Sequence, residues 1–275
     1  MTQPTQTSGW LNRVLGGRDR KAAPTEAELR VESKLELYRS QMRHQVEGWV
    51  GDRVHELIET IDKVQRELDI RGDIVEIGVH HGLFMLLLAT VRRDDEQVLA
   101  FDIFDRQELN VDHSGAGVQA LVEGNIARFY PEAQDAFVVR ALDSMSIRGA
   151  DLPTLFPRPV RLFSIDGGHT KAHVANDLNV AQETLAPGGV AILDDFFGPH
   201  WPSVTEGFFR FMATTNRRLA PFLFFQNKLY LTTFSEHAIV SRVMRAHAEA
   251  WLGDELNNGS WKTVELAGFQ VLSKG

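Results

Sequence analysis

The chain has 275 residues, with 29 Lys and Arg against 37 Asp and Glu, a formal net charge of −8. That balance argues against nucleic acid as a partner, since broad contact with a phosphate backbone needs clustered Lys and Arg. The absence of cysteine excludes disulfides, thiolate metal ligands and cysteine nucleophiles. No run nears the roughly 18 apolar residues of a membrane span. The opening M-T-Q-P-T-Q-T-S-G-W lacks the basic-then-apolar layout of a secretion signal. The expectation is a cytoplasmic protein with no membrane partner, built as one large domain with extensions.

Residues 1–24 are rich in Thr, Gln, Gly and Arg without periodicity and read as a flexible arm. Thr25 followed by Glu28 fits a capping box that opens a helix with Leu29, Val31, Leu35, Leu37 and Tyr38 as its apolar stripe. A second helix is expected over Asp52–Leu68, where Val54, Leu57, Ile58, Ile61, Val64 and Leu68 recur every three or four residues. Together they form a helical extension, 25–70. It could lid a site, cap the core or make a homo-oligomer interface.

From Gly72 onward, short apolar runs alternate with helical stretches. The runs are Asp73–Ile77, Gln97–Ile103, Ala136–Val139, Val160–Ile165 and Gly189–Leu193; the helices are Leu83–Val91, Gly117–Phe129 and Lys171–Leu185. Strands alternating with helices at this spacing imply an α/β fold with a parallel sheet covered on both faces. A helix over Ser203–Thr214 then precedes Pro221–Phe225 and Leu229–Thr233, joined by Gln226-Asn227-Lys228 as a tight antiparallel hairpin. The expectation is therefore a doubly wound, mostly parallel seven-stranded sheet with a C-terminal hairpin, over 71–235. A last helix, Ser235–Leu252, and an apolar segment near Val264–Leu272 make up 236–275.

Open α/β sheets bind ligands outside the carboxyl ends of their strands, so the residues that follow each strand carry the chemistry. After the first strand comes Glu76-x-Gly78-x-x-x-Gly82, which suits a cofactor loop or an ordinary strand-turn-helix, but not the G-x-G-x-x-G of a dinucleotide fold. Asp102 ends the second strand, where an acidic side chain can accept hydrogen bonds from ribose hydroxyls. Asp143 and Ser144 follow the third strand, either meeting an adenine edge or capping a turn. The fourth strand ends Asp166-Gly167-Gly168-His169 and the fifth Asp194-Asp195. Three carboxylates at one sheet edge repel unless a cation sits among them, and hard oxygen ligands suit Mg²⁺ or another divalent ion. Asp166, Asp194 and Asp195 are thus the metal candidates. His169 is a candidate general base for a substrate hydroxyl, and Asp166 is grouped with it in the chemical step. The aromatic stretch Phe196–Phe209 reads as an acceptor wall or as core. The polar Asp105–Gly117 reads as a flap over the site or as a surface insertion.

The E-I-G-V-H-H-G loop, the A-P-G-G-V-A-I-L-D-D segment and the final hairpin resemble class I S-adenosylmethionine-dependent methyltransferases, with their Rossmann-like fold, over about Gly72–Phe234. Within that family, I-D-G-G-H and L-D-D-F-F resemble the metal-dependent O-methyltransferases of sugars and antibiotic glycosides. The resemblance implies that Glu76, Gly78 and Gly82 line the methionine end of S-adenosylmethionine. It places Asp102 at the ribose and Asp143 and Ser144 near the adenine. It also implies that Asp166, Asp194 and Asp195 hold Mg²⁺ and that His169 is the base. The implied function is methyl transfer to a hydroxyl of a small, sugar-like or other polar acceptor. The alternatives are a nucleotide-dependent oxidoreductase on a related sheet and a non-catalytic S-adenosylmethionine-binding module.

Overall fold

The computed structural model of the protein describes residues 23–253 and 259–274. The arm expected over 1–24 falls, apart from Ala23 and Pro24, outside the described residues. The capping box is present: Thr25 Oγ1 accepts from Glu28 N, and Glu28 Oε2 accepts from Thr25 N. It opens α1 (Glu26–Leu37), which continues through a π-helical turn, Tyr38–Met42. Helix α2 (Val54–Glu67) follows, then β1 (Asp73–Ile77), α3 (Leu83–Ala89), β2 (Val98–Asp102), α4 (Gln119–Phe129) and β3 (Phe137–Ala141). The second half runs β4 (Val160–Ile165), α5 (Lys171–Thr184), β5 (Leu185–Leu193), α6 (Pro202–Met212), β6 (Leu219–Phe225), β7 (Lys228–Thr233) and α7 (His237–Leu252). Two further strands, β8 (Lys262–Leu266) and β9 (Phe269–Lys274), close the described chain.

The strands form one sheet in the order β3-β2-β1-β4-β5-β7-β6-β9-β8. Strands β1 to β5 pair in parallel and β7 joins β5 antiparallel, giving the expected mostly parallel sheet with a C-terminal hairpin. The seven-stranded expectation stops short, because the tail is itself a hairpin. Strand β9 pairs with β6 and β8 with β9, so nine strands are described. Val264, Leu266, Ala267, Phe269 and the Val271–Leu272 pair are the apolar signal of that segment, and the edge strand β8 is itself largely exposed.

Side chains alternate between faces along each strand. Ile74, Leu162, Ile192 and Tyr230 face one core, shared with α1, α2, α3, α4 and α7. Val75, Ile77, Phe163, Ile165, Leu193 and Leu229 face the other, against α5 and α6. The N-terminal helices therefore bury their apolar stripes in this chain's own core: Leu35, Met42, Leu57 and Ile58 are fully buried. The chain turns back on itself between β1 and β4, which are neighbours in the sheet although β2 and β3 intervene in sequence. A crevice opens at that reversal.

At the opposite, amino end of β4, Arg161 is fully buried. Its Nε and Nη2 donate to Glu96 at 2.7 and 2.8 Å, and its Nη1 donates to Gln65 Oε1 at 2.7 Å. Asp62 and Glu96 are both buried there, so removal of the cation would strand them in low dielectric. Arg161→Met is expected to cost about 3–5 kcal/mol, or roughly 6–20 °C in melting temperature. Calorimetry of the variant would check this, and a loss below about 1 kcal/mol would refute the assignment.

Candidate active site

The crevice is fixed by one close approach. Gly78, at φ +83°, directly follows β1 at a point where a Cβ would lie 1.8 Å from the Asp166 carbonyl, so no side chain is tolerated at the crossing with the chain after β4. The following loop is held by Asp102. Its Oδ2 accepts from the backbone of Val79 and His80, both at 2.8 Å, and its Oδ1 accepts from Phe104 N at 2.7 Å. Asp102 also lines the cavity, as a ribose-binding residue would, but three backbone donors already occupy its oxygens. Its first role here is to shape the glycine loop. Gly82 caps α3 at φ +91° and does not line the cavity; its use is conformational.

Glu76 also departs from the expectation of direct cofactor contact. It is 1% exposed and absent from the cavity wall. Its Oε1 accepts from Ser164 Oγ at 3.0 Å, and its Oε2 has no partner among the described residues. Burial and the charge of Asp166 push its carboxyl well above the usual range. Strand parity explains the placement: Glu76, like Ile74, points to the face covered by α3 rather than into the crevice.

The cavity measures about 490 Å³ and runs from the glycine loop across the carboxyl ends of β2, β3, β4 and β5. Asp143 and Ser144 lie on its wall. Asp143 Oδ1 accepts from Met145 N at 2.9 Å, the turn-capping role, while its place on the wall leaves the adenine reading open.

At the far end, His169 is the centre of the acidic cluster. Its Nε2 lies 3.1 Å from Asp195 Oδ2 and 3.8 Å from Asp166 Oδ1. Donor atoms of Asp166, His169 and Asp195 fall within 4.8 Å of one another, a spacing that fits a divalent cation. Two carboxylates and an imidazole admit a wider set of ions than the all-oxygen site implied by sequence. Asp194 is not in this trio. The structure pairs its Oδ2 with Lys228 Nζ, and its Oδ1 accepts from Asp195 N at 2.7 Å. The cause is register: β5 and β7 pair Leu193 with Leu229, so the next step out sets Asp194 opposite Lys228. Asp195 adopts φ +54°, a strained conformation for a non-glycine residue, held by the turn after β5.

Two residues that contact the site escaped the sequence reading. One is Lys228. The other is Asp112, carried by the long segment after β2. Asp112 Oδ2 accepts from His169 N at 2.7 Å and lies 2.9 Å from His169 Nδ1, with Ser114 Oγ 3.1 Å from the same nitrogen. The Asp105–Gly117 segment thus folds over the cavity and clasps the candidate base. An acidic residue in a loop gives no signal of a partner 57 positions away, so only the polar length of the insertion hinted at it. Trp201 stacks on the His169 ring at 4.3 Å between centroids, on the cavity wall. Elsewhere in the aromatic stretch, Phe196 and Phe208 are fully buried core residues. His80 also lines the cavity, stacked on His81, with Trp49 beside it.

The charges are mutually dependent. Burial opposes a cationic His169, but Asp166, Asp195 and Asp112 outweigh it and raise the imidazole to about 10. Burial likewise opposes an ionised Asp112, yet hydrogen bonds from His169 and Ser114 hold its carboxyl down at about 2. Burial and the Asp194 charge push Asp166 up.

Residues 75–196 match the family model of a methyltransferase domain. No curated protein matches the chain in sequence. Among solved structures, the O-methyltransferase NovP is similar over 76% of this chain and 99% of its own, at 15% identity and a TM-score of 0.56. CalS11, a TDP-rhamnose 3'-O-methyltransferase of calicheamicin biosynthesis, aligns over 77% and 96% at 16% identity and 0.46. An O-methyltransferase from Bacillus cereus in complex with SAH aligns over 82% and 94% at 14% and 0.48. At these identities the NovP likeness establishes the fold, and the other two add no argument. No described helix is long and apolar enough to cross a membrane.

In the free protein His169 should titrate near 10 rather than the ordinary 6.5, as followed by NMR of its ring protons. Because its folded value is raised, its contribution to stability is fully present below pH 6.5 and is lost as the pH rises through 10. Asp112→Asn should lower the His169 value, and an unchanged titration in that variant would show that the clasp does not act on the imidazole.

Proposed function

We propose that this chain, whose residues 75–196 match the family model of a methyltransferase domain, is an S-adenosylmethionine-dependent O-methyltransferase acting on a hydroxyl of a small polar, sugar-like acceptor with the help of a divalent cation. The observation that carries this reading is the single cavity. It joins the loop organised by Gly78 and Asp102 at one end to Asp166, His169 and Asp195 at the other, so a cofactor's methyl-donating end and an acceptor hydroxyl can share one space.

The reaction is an in-line displacement in which a nucleophilic oxygen attacks a sulfonium methyl. The protein's part is alignment and proton management. The glycine loop and Asp102 fix the cofactor end of the cavity. Asp143 and Ser144 extend that wall toward the adenine side. Asp166 and Asp195 would hold the cation, which would polarise acceptor oxygens and lower the pKa of the reacting hydroxyl. His169 receives the hydroxyl proton at Nε2, while Asp112 accepts from Nδ1 and fixes the ring. A base must be neutral to do this, whereas the free site holds His169 protonated. Positive charge entering beside Asp166 and Asp195 weakens their hold on that proton, so base strength is matched to a filled site. Trp201, stacked on His169, offers the acceptor a flat apolar surface next to the base.

The paired carboxylates of the cation site favour an acceptor with adjacent oxygens. A nucleotide-dependent oxidoreductase is disfavoured by the methyltransferase match and by the two-glycine loop. A non-catalytic module is disfavoured by the His169 cluster, which keeps an Asp112 clasp that simple cofactor storage does not need.

S-adenosylhomocysteine at about 100 times its Kd should stabilise the protein by about 2.7 kcal/mol, roughly 5–11 °C, with no shift from NAD; the reverse pattern would overturn the reading. His169→Gln should keep that shift and lose about a hundredfold or more in kcat, assayed with sugar diols and catechols in parallel. Near-normal turnover in the variant would remove His169 from the chemical step.

A further inference from the structure

The acidic edge contains a cation supplied by the chain itself. Lys228 is 1% exposed. It opens β7 directly after the hairpin turn, where Asn227 Nδ2 donates to Asp195 Oδ1 at 3.2 Å and Asn227 O accepts from Phe196 N at 2.8 Å. The turn is therefore tied to Asp195 and to Phe196, which follows it. Lys228 Nζ pairs with Asp194 Oδ2 and rests over the Phe84 ring at 4.6 Å. Parity puts Glu76, Ser164, Asp194 and Lys228 on the same face of the sheet, so the ammonium points into the layer below the cavity floor. Among the described residues the hydrogen-bond partner of its ammonium is Asp194.

We propose that Lys228 is a resident counter-cation that withdraws Asp194 from metal binding, leaving the carboxylates of Asp166 and Asp195, beside His169, open to a divalent ion. The idea rests on the proposed cation site, but not on the methyl-transfer reading. Its physical basis is competition for one carboxylate. An ammonium buried against Asp194 neutralises it without water or metal, and the paired oxygen cannot turn toward a second cation without leaving the ammonium unpaired in low dielectric. The positive charge also repels a divalent ion placed a few ångströms away. The site then binds metal only loosely and can exchange it with each acceptor. The fields of Asp194 and Asp166 outweigh burial and keep Lys228 charged.

The test is direct metal binding. Isothermal titration with Mn²⁺ and with Mg²⁺, on full-length protein stripped by chelator, is run for wild type and for Lys228→Met. Melting temperatures are recorded with and without each metal. Even at an effective dielectric of about 20, removing a unit charge beside a divalent ion is worth more than one decade. Lys228→Met should therefore bind at least about tenfold more tightly and gain more in melting temperature from metal than wild type does. Lys228→Arg should stay near wild type. The double variant Lys228→Met with Asp194→Asn restores a neutral pair and guards against a single variant that does not fold. It should bind metal within about threefold of wild type, because Asp194 is not a ligand. A tenfold loss in the double variant, or a Lys228→Met affinity equal to wild type, would overturn the proposal. If neither wild type nor Lys228→Met bound either ion, it would also fall. If Lys228→Met alone bound, the proposal would stand and the cation in the proposed function would not. The S-adenosylhomocysteine shift, read on the same samples, reports separately on the methyltransferase reading.

Discussion

The constraint on which this molecule turns is electrostatic: a parallel sheet delivers carboxylates to one edge, and that edge must be neutralised. Glu76, Asp166, Asp194 and Asp195 follow or end β1, β4 and β5, three adjacent strands in the sheet. Each lies near the others in a partly desolvated layer, where like charges interact far more strongly than in water. Three devices meet the problem. Glu76 is buried enough to hold its proton. Asp194 is matched to Lys228. Asp166 and Asp195 share His169. Asp194 also borders the cavity, but its charge is already met by Lys228, so it is at Asp166 and Asp195 that an incoming cation can take over the balancing role.

Distant parts of the chain are recruited to this one task. The β6–β7 hairpin supplies Lys228 and Asn227. Gln226, at its tip, donates to Asp52 O and so ties the hairpin to the start of α2. The segment after β2 supplies Asp112. Its Gly117 passes Asp102 so closely that a Cβ would lie 2.9 Å from Oδ1. The residue that shapes the glycine loop therefore also touches the flap that clasps the base. Cofactor end and base end are joined by packing across one carboxylate, and neither loop is independent of the other.

The sheet was legible in the sequence because buried parallel strands are nearly continuous apolar runs and their helices recur at fixed spacing. Asp73–Ile77 and Val160–Ile165 are found at the expected residues. Asp166 and His169 were legible as a pair because both follow one strand by a few residues. What escaped depends on register and on loop path. Asp194 looks like a metal ligand until β7 is laid antiparallel beside β5, and then Lys228 falls opposite it. Asp112 reads as one polar residue in a polar insertion until the loop is folded over the cavity. Glu76 was expected at the cofactor. Its parity with Ile74, available from the sequence, would have turned it to the face under α3. The terminal β8–β9 pair was read only as an apolar segment, because edge strands carry half the apolar signal of central ones.

The two ends of β4 show why the acidic cluster is a site and not merely a structural network. At the amino end Arg161 meets Asp62, Glu96 and Gln65, with Arg66 and Arg93 beside them. Cations there match or exceed the carboxylates, and Arg161, Asp62 and Glu96 are buried. At the carboxyl end, with Glu76 holding its proton, four carboxylates, Asp112, Asp166, Asp194 and Asp195, still face two basic groups, Lys228 and His169. That imbalance is costly in low dielectric, and strain at Asp195 adds to it. A cluster built only to hold the fold would have been closed as the first one is. The second stays short of positive charge beside a cavity of about 490 Å³, and a cationic ligand in that cavity would supply what the chain itself leaves out.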